Sequence, residues 1–243
     1  MRLFWQRDWQ GIAFAGFCRP DPRRIADAVF YSAFYDELFR RYAGWHALDP
    51  GWMETKRVAA EFVKSRLPDG GPRVLTIGCG LGAIEKRLIE LGVSVEVTEI
   101  TDKPLRWLKE ALDASAFHIG LFPQCMPRDR RYDFVLLSGV DYCFDQKEWI
   151  ELLRATSGVI GPQGKCLVLS SSIDRAGLVG RCKARLKEWL IRFYPPRSCR
   201  YQLWGYLRTR EEFQKAMHDS GIASFTDGFL MDSMYWIEGR RPQ

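Results

Sequence analysis

The sequence predicts an α/β protein: a doubly wound, mostly parallel sheet with helices on both faces, a helical cap ahead of it and a helical insertion after its fifth strand. Three observations carry this expectation. Beyond Pro72, short apolar runs alternate with amphipathic stretches of helical length. The turn GCGLG, Gly78 to Gly82, joins the first apolar run to the first of those stretches. Two strand-like segments close the chain behind a well-capped helix.

The cap comes first in the chain. Ile25, Val29, Phe30, Phe34 and Leu38 recur at helical spacing, with Gly44 as a stop. A second helix is expected from Met53 to Leu67, ended by Pro68 and the Gly70-Gly71 pair. Residues 1–70 are therefore expected to be a helical cap and residues 71–243 the sheet domain.

Val74 to Ile77 then reads as a buried strand, Ile84, Leu88 and Leu91 as a helix stripe, and Val93, Val95 and Val97 as an alternating strand. A helix is expected from Lys103 to Leu112 and a weak strand from Ala116 to Ile119. YDFVLLSG gives a clear strand, a helix follows from Lys147 to Val159, and Gly161-Pro162 and Gly164 lead to the strand KCLVLSS. Thr209 and Glu212 stand in capping-box spacing, and Gly221 closes that last helix. Ala223 to Phe225 and Met234 to Glu238 are expected to pair. These make seven strands.

Residues 174–208 are too long for an ordinary connection. Leu178, Cys182, Leu186, Trp189, Leu190 and Phe193 would share one helical face, with Arg181, Lys183, Arg185, Lys187 and Arg192 around it. A lid or substrate wall, a membrane-surface helix and a helix packed on the domain all fit that pattern.

Composition sets bounds. Hydrophobic residues make up 47% and charged residues 27%, which excludes disordered and collagen-like chains. The net charge of +6 favours anionic partners only in a general way. Seven widely spaced cysteines without a CxxC pair read as reduced thiols in a cytoplasmic protein, with no metal site. No apolar run is long enough to span a bilayer, and Arg7 and Asp8 interrupt the aromatic N-terminus, so no cleaved signal peptide is expected.

Glycines at 78, 80 and 82 leave backbone amides free to face an anionic group at the start of a helix. A pyrophosphate and an amino-acid carboxylate both satisfy that loop. Glu99, at the tip of the next strand, narrows the choice, since an acid there can accept hydrogen bonds from two ribose hydroxyls. Together they indicate an adenosine-containing cofactor.

At these residues the sequence resembles a family. VLTIGCGLG, VEVTEI and YDFVLLSGVDY are similar to the first, second and fourth motifs of the class I S-adenosylmethionine-dependent methyltransferases, of the small-molecule type. The GxGxG spacing is that family's form, whereas nicotinamide enzymes usually show GxGxxG. The resemblance covers roughly Pro72 to Arg240 and implies a Rossmann-like seven-stranded sheet with an antiparallel last strand. It implies S-adenosylmethionine as cofactor, S-adenosylhomocysteine as product and no metal. Gly78, Cys79, Gly80 and Gly82 would pass under the methionine and ribose, Glu99 would hold the ribose and Ile100 would touch the adenine. Ser138, Gly139 and Val140 would line the methionine side. Asp141 and Tyr142 would face the methyl group or the substrate. Two positions depart from the pattern: Thr76 stands where the family often has an acid, and HIGLFP, around Gly120 and Leu121, stands where it often has an aspartate.

Hydroxyl methylation needs a base. Asp141 is the leading candidate and His46, from the cap, the second; His118 and His218 read as structural. Tyr31 and Tyr35 share one face of the cap helix, the element that commonly closes over the cofactor in this family. Trp45, Trp52 and Trp204 could build an apolar acceptor pocket. The expected function is methyl transfer to a small molecule, most plainly to a hydroxyl of a saccharide or another metabolite, with a phosphate-bearing acceptor kept among the expectations. RNA methylation and a non-catalytic cofactor-binding scaffold are the alternatives, and peripheral membrane contact stays open.

Overall fold

The computed structural model describes residues 2–17, 26–174, 186, 189–190, 201–231 and 234–241. The chain opens on three short strands: β1 (Arg2–Gln6), β2 (Asp8–Trp9) and β3 (Ile12–Ala13). Helix α1 (Ala28–Arg41) follows; its first turn is capped by Asp27, which accepts from the Phe30 amide at 3.0 Å. It buries Phe30, Phe34 and Leu38, one every four residues, while Val29, expected on that stripe, is 69% exposed. Helix α2 (Pro50–Arg66) starts with Pro50 in its first turn and Asp49 as cap.

The sheet domain runs β4 (Val74–Ile77), α3 (Ala83–Glu90), β5 (Val95–Glu99), β6 (Phe117–Ile119), β7 (Tyr132–Ser138), α4 (Gln146–Val159), β8 (Ile160–Ser171), β9 (Gln202–Leu207), α5 (Arg210–Asp219), β10 (Ala223–Phe229) and β11 (Met234–Arg240). Seven of these strands form one sheet in the order β10-β11-β8-β7-β4-β5-β6. From β6 to β8 every pairing is parallel, and β11 is antiparallel to both β8 and β10. Six strands therefore share one direction and the last is reversed, as expected.

Alternate side chains of the strands feed two cores. Leu75, Val135, Leu137 and Val168 pack with Trp149 and Leu153 of α4 and Phe213 of α5. Val74, Phe134, Leu136 and Leu167 pack on the other face with Ala59 and Val63 of α2 and Ile84 and Leu88 of α3. A third, aromatic cluster joins the cap to the sheet domain: Phe14, Phe30, Phe34, Trp107 and Trp204 are buried in it.

Three elements depart from expectation. The first seventy residues are not wholly helical, since β1 pairs antiparallel with β9, Arg2 opposite Leu207 and Gln6 opposite Gln202. The insertion accordingly ends in a strand; the rest of its expected helix, residues 175–185, 187–188 and 191–200, lies outside the described residues, and Leu186, Trp189 and Leu190 are exposed. The helix expected from Lys103 to Leu112 is two single 3₁₀ turns, Lys103–Leu105 and Leu108–Glu110. Pro104, Leu105, Trp107 and Leu108 are all buried there, so the segment tucks in neighbouring side chains instead of one helical face.

Candidate functional site

The order in which strands are added reverses at β4: β5 and β6 lie to one side of it, β7 and β8 to the other, all parallel to it. Loops leaving the carboxyl ends of β4, β5 and β7 therefore splay apart and leave a crevice, the usual ligand position in such sheets. The predicted motifs stand at those three ends.

Gly78, Gly80 and Gly82 all have left-handed φ angles, between 57° and 67°. A Cβ on Gly78 would lie 2.8 Å from Val140 Cγ2, and one on Gly82 would lie 2.6 Å from Leu108 Cδ2. Those two glycines are thus demanded by the protein's own packing as well as by φ. Gly80 is different, because the nearest atom to its Cβ position is the Tyr35 hydroxyl at 3.8 Å. Its N–H donates to Glu99 Oε1 at 2.7 Å, and the Ile100 N–H donates to Glu99 Oε2 at 3.1 Å. Burial raises the Glu99 pKa above the usual carboxylate value, and the two backbone donors oppose that shift. Ile100 is 56% exposed, a bare apolar face beside the acid.

On the other side of the crevice Ser138 ends β7, and the Gly139 N–H donates to Leu169 O at 2.8 Å. Val140 reaches under Gly78, and the Tyr142 ring lies against Gly139. The cap closes the top: Tyr31 OH is 4.0 Å from Cys143 Sγ, and its ring meets Trp204 at 5.4 Å and Tyr35 at 6.3 Å between centroids. Burial pushes the phenols of Tyr31, Tyr35 and Tyr142 up, and the Cys143 thiol up to about 12. The thiol of Cys79, which borders Tyr35 and Glu99, is pushed up by burial too.

Of the two expected bases, Asp141 lies in the turn after β7 and His46 in a turn of the cap. Asp141 is 1% exposed, and its carboxylate lies 3.5 Å from the Arg208 guanidinium. Arg208, itself fully buried, also donates to Asp141 O and Phe144 O at 2.7 Å each and to Asp145 O at 3.0 Å. Burial pushes the Asp141 pKa up to about 6, with the Ser170 hydroxyl and Arg208 pulling it down. Asp141 thus braces the turn after β7 and presents no open carboxylate to the crevice. His46 is exposed, and its neighbour Trp45 turns inward, donating from Nε1 to Leu81 O at 2.9 Å. His118 Nε2 is 2.8 Å from Glu96, and His218 is 83% exposed beside Asp219.

Sequence reasoning missed several residues. Lys103 Nζ donates to Ser32 Oγ at 2.8 Å and to Asp36 Oδ2 at 2.7 Å, latching α1 to the loop after β5. Arg208 and Cys143 were passed over because their partners are distant in sequence. Glu85, buried in the first turn of α3, was not singled out; burial pushes it up to about 7, opposed by the Thr76 hydroxyl and by Lys56. Among the described residues no cluster of His, Cys, Asp or Glu is arranged to hold a metal ion, the four described cysteines are free, and no helix is long and apolar enough to cross a membrane.

No family model and no curated protein matches the chain in sequence, but solved structures match it in three dimensions. A proposed O-methyltransferase of Nostoc punctiforme superposes with a TM-score of 0.59 at 17% identity, over 86% of this chain and 59% of its own. The CcbJ methyltransferase of Streptomyces caelestis gives 0.56 at 16%, over 77% of this chain and 90% of its own. Magnesium protoporphyrin IX methyltransferase of Synechocystis, with bound S-adenosylhomocysteine, gives 0.54 at 18%, over 79% and 84%. The chain has the class I methyltransferase fold. It spans about three fifths of the Nostoc protein and most of the other two. Within the class I methyltransferase fold, the crevice described above is the cofactor position that the first, second and fourth motifs imply. The residues present suit that group: an unobstructed Gly80, an acid at the tip of β5 and an exposed apolar face at Ile100.

Proposed function

We propose that the protein is an S-adenosylmethionine-dependent methyltransferase that acts on an oxygen atom of a small molecule. The observation that carries this reading is Glu99, held at the end of β5 with its carboxylate on the amide of Gly80, the one glycine of the loop that no packed side chain crowds. The ribose hydroxyls of the cofactor would take over the place of those amides on Glu99, while Ile100 would meet the adenine. Gly78, Cys79 and Gly82 would carry the backbone past the ribose and methionine, and Ser138, Gly139 and Val140 would close the methionine side. Tyr31 and Tyr35 would cover the sulfonium, whose positive charge is favourable against aromatic faces.

When bound, the cofactor supplies a methyl group already activated for in-line displacement. What the chain adds is positioning and exclusion of water, through the aromatic cap and through Tyr142 and Trp204 at the methyl side. Asp141 enters this reading as the brace of the Tyr142 turn, and His46 has no role in it. A saccharide or phosphate-bearing acceptor rests on the insertion alone, chiefly on residues 175–200, whose sequence is basic and aromatic.

Calorimetric titration with S-adenosylmethionine and S-adenosylhomocysteine, with NADH and NADPH as controls, tests the reading. Saturable binding of the sulfur ligands alone supports it. Binding of a nicotinamide ligand alone would refute it. Cofactor binding without transfer to any acceptor class would favour the scaffold alternative, and transfer to RNA that collapses with added salt would favour the nucleic-acid one.

A further inference from the structure

A second cavity lies at the end of the sheet opposite the crevice. Because β11 runs antiparallel to β8, its last residues stand beside the start of that strand, Glu238 opposite Leu167 and Arg240 opposite Lys165. The cavity has a volume of about 440 Å³ and is walled by Gln163 of β8, Ser224 and Thr226 of β10, Glu238 and Arg240 of β11, and Arg241 just beyond it. That is room enough for a small molecule.

Three observations point to a ligand there. Glu238 is 11% exposed, and its carboxylate is only half satisfied: Oε1 takes Lys165 Nζ at 3.3 Å, while Oε2 is buried with no hydrogen-bond partner among the described residues. Leaving a buried carboxylate oxygen in that condition is costly, so a donor brought by a ligand is favourable. Arg240 and Arg241 are exposed, and neither pairs with an acid among the described residues. Finally, β10 slips register against β11 between Ala223 and Thr226, and Ser224 at the slip has a φ of 53°, a left-handed value that serine seldom takes. Irregularities of this kind re-aim side chains, and this one forms part of the cavity wall.

The chemistry is divided along β11. Glu238 and Arg240 alternate with Gly239, so they share one face of the strand about 7 Å apart. One end of the cavity accepts hydrogen bonds and the other carries positive charge, with the hydroxyls of Ser224 and Thr226 opposite them on β10. No aromatic ring among the described residues lines the cavity, so a flat apolar molecule has nothing to stack on.

We propose that this cavity binds a phosphorylated sugar or polyol, with its phosphate on Arg240 and Arg241 and a hydroxyl donating to Glu238. Arginine forks match phosphate oxygens, and a hexose phosphate carries hydroxyls and phosphate at opposite ends of its ring. The site is separate from the methyl-transfer crevice and does not depend on the function proposed for it.

The test is calorimetric titration of the full chain, in phosphate-free buffer, with glucose 6-phosphate, glucose and inorganic phosphate. Glucose 6-phosphate is expected to bind saturably and about ten-fold tighter than inorganic phosphate, the worth of its additional hydrogen bond to Glu238, and glucose to give no measurable heat. Glu238→Gln should weaken glucose 6-phosphate about ten-fold, as loss of a hydrogen bond to a charged group does, yet leave inorganic phosphate unchanged or tighter because a negative charge is gone. Arg240→Ala combined with Arg241→Ala should abolish binding of both. A merely basic surface gives another pattern, in which the two phosphates bind alike and Glu238→Gln tightens both. That pattern, no saturation by glucose 6-phosphate, or binding that survives in the arginine variant would overturn the inference. Both arginines are exposed, so their variant keeps the fold and decides the matter should Glu238→Gln fail to fold.

Discussion

Glu99 and Glu85 are both acids kept from water, yet they do opposite work. Glu99 faces the crevice and two amides; Glu99→Gln should keep the side chain's shape, remove its charge and weaken S-adenosylhomocysteine binding by about 10- to 100-fold, the range for a hydrogen bond to a charged group. Calorimetry reads this directly. Glu85 lies behind the glycine loop, and burial raises its pKa from 4.5 to about 7. An acid raised in the folded state binds its proton there and loses it in the unfolded chain, so the stability this proton gives is full below pH 4.5 and is lost as pH rises to about 7. Glu85→Gln imitates the protonated form. It should leave the melting temperature unchanged near pH 4 and raise stability at pH 8 by up to about 3 kcal/mol, the equivalent of the shift. Equal effects at both pH values would show that Glu85 is not the titrating group. At this scale the placement of the glycines and Glu99 at the ends of β4 and β5 was legible in the sequence, because it is set by their own backbone and by the strand they end. The Asp141–Arg208 pair was not legible, because its members are 67 residues apart and no local pattern announces such a pair.

Among the elements, α1 and the turn that follows it are fastened to the sheet domain at two points. Lys103 ties its middle to the loop after β5, and Trp45, just beyond its end, bonds to Leu81 of the glycine loop. Lys103→Ala removes a partly exposed ion pair and should cost less than about 1 kcal/mol of stability. It should nonetheless speed release of S-adenosylhomocysteine several-fold in stopped-flow measurements, because the lid opens more readily; an unchanged release rate would show that α1 does not gate the crevice. Strand β9 meets the turn after β7 backbone to backbone: a Cβ on Gly205 would lie 1.9 Å from the Tyr142 carbonyl oxygen. Gly205→Ala should therefore displace β9 or the turn, costing about 1 to 3 kcal/mol as overpacking does, and should alter the emission of neighbouring Trp204. The central strands were readable because burial on both faces leaves unbroken apolar runs such as FVLL. β1 and β9 were not, because only their pairing across the length of the chain makes either a strand.

At the scale of the whole molecule, the sheet order and the reversed β11 follow from the alternation of strands and helices together with the resemblance to a known family. The cap's aromatic cluster could be anticipated only as composition. Which rings stack, such as Phe14 on Trp204 at 4.9 Å, depends on residues separated by most of the chain. The β1–β9 ladder also has a consequence for how the protein is made. Arg2–Gln6 leaves the ribosome about two hundred residues before Gln202–Leu207 exists to pair with it. Strands β4 to β8 can assemble meanwhile from near neighbours, whereas closing so long a loop is entropically dear and brings its reward only at the end. The nascent chain therefore carries Trp5 without its partner Leu203 until β9 is made, and this edge of the cap is completed last.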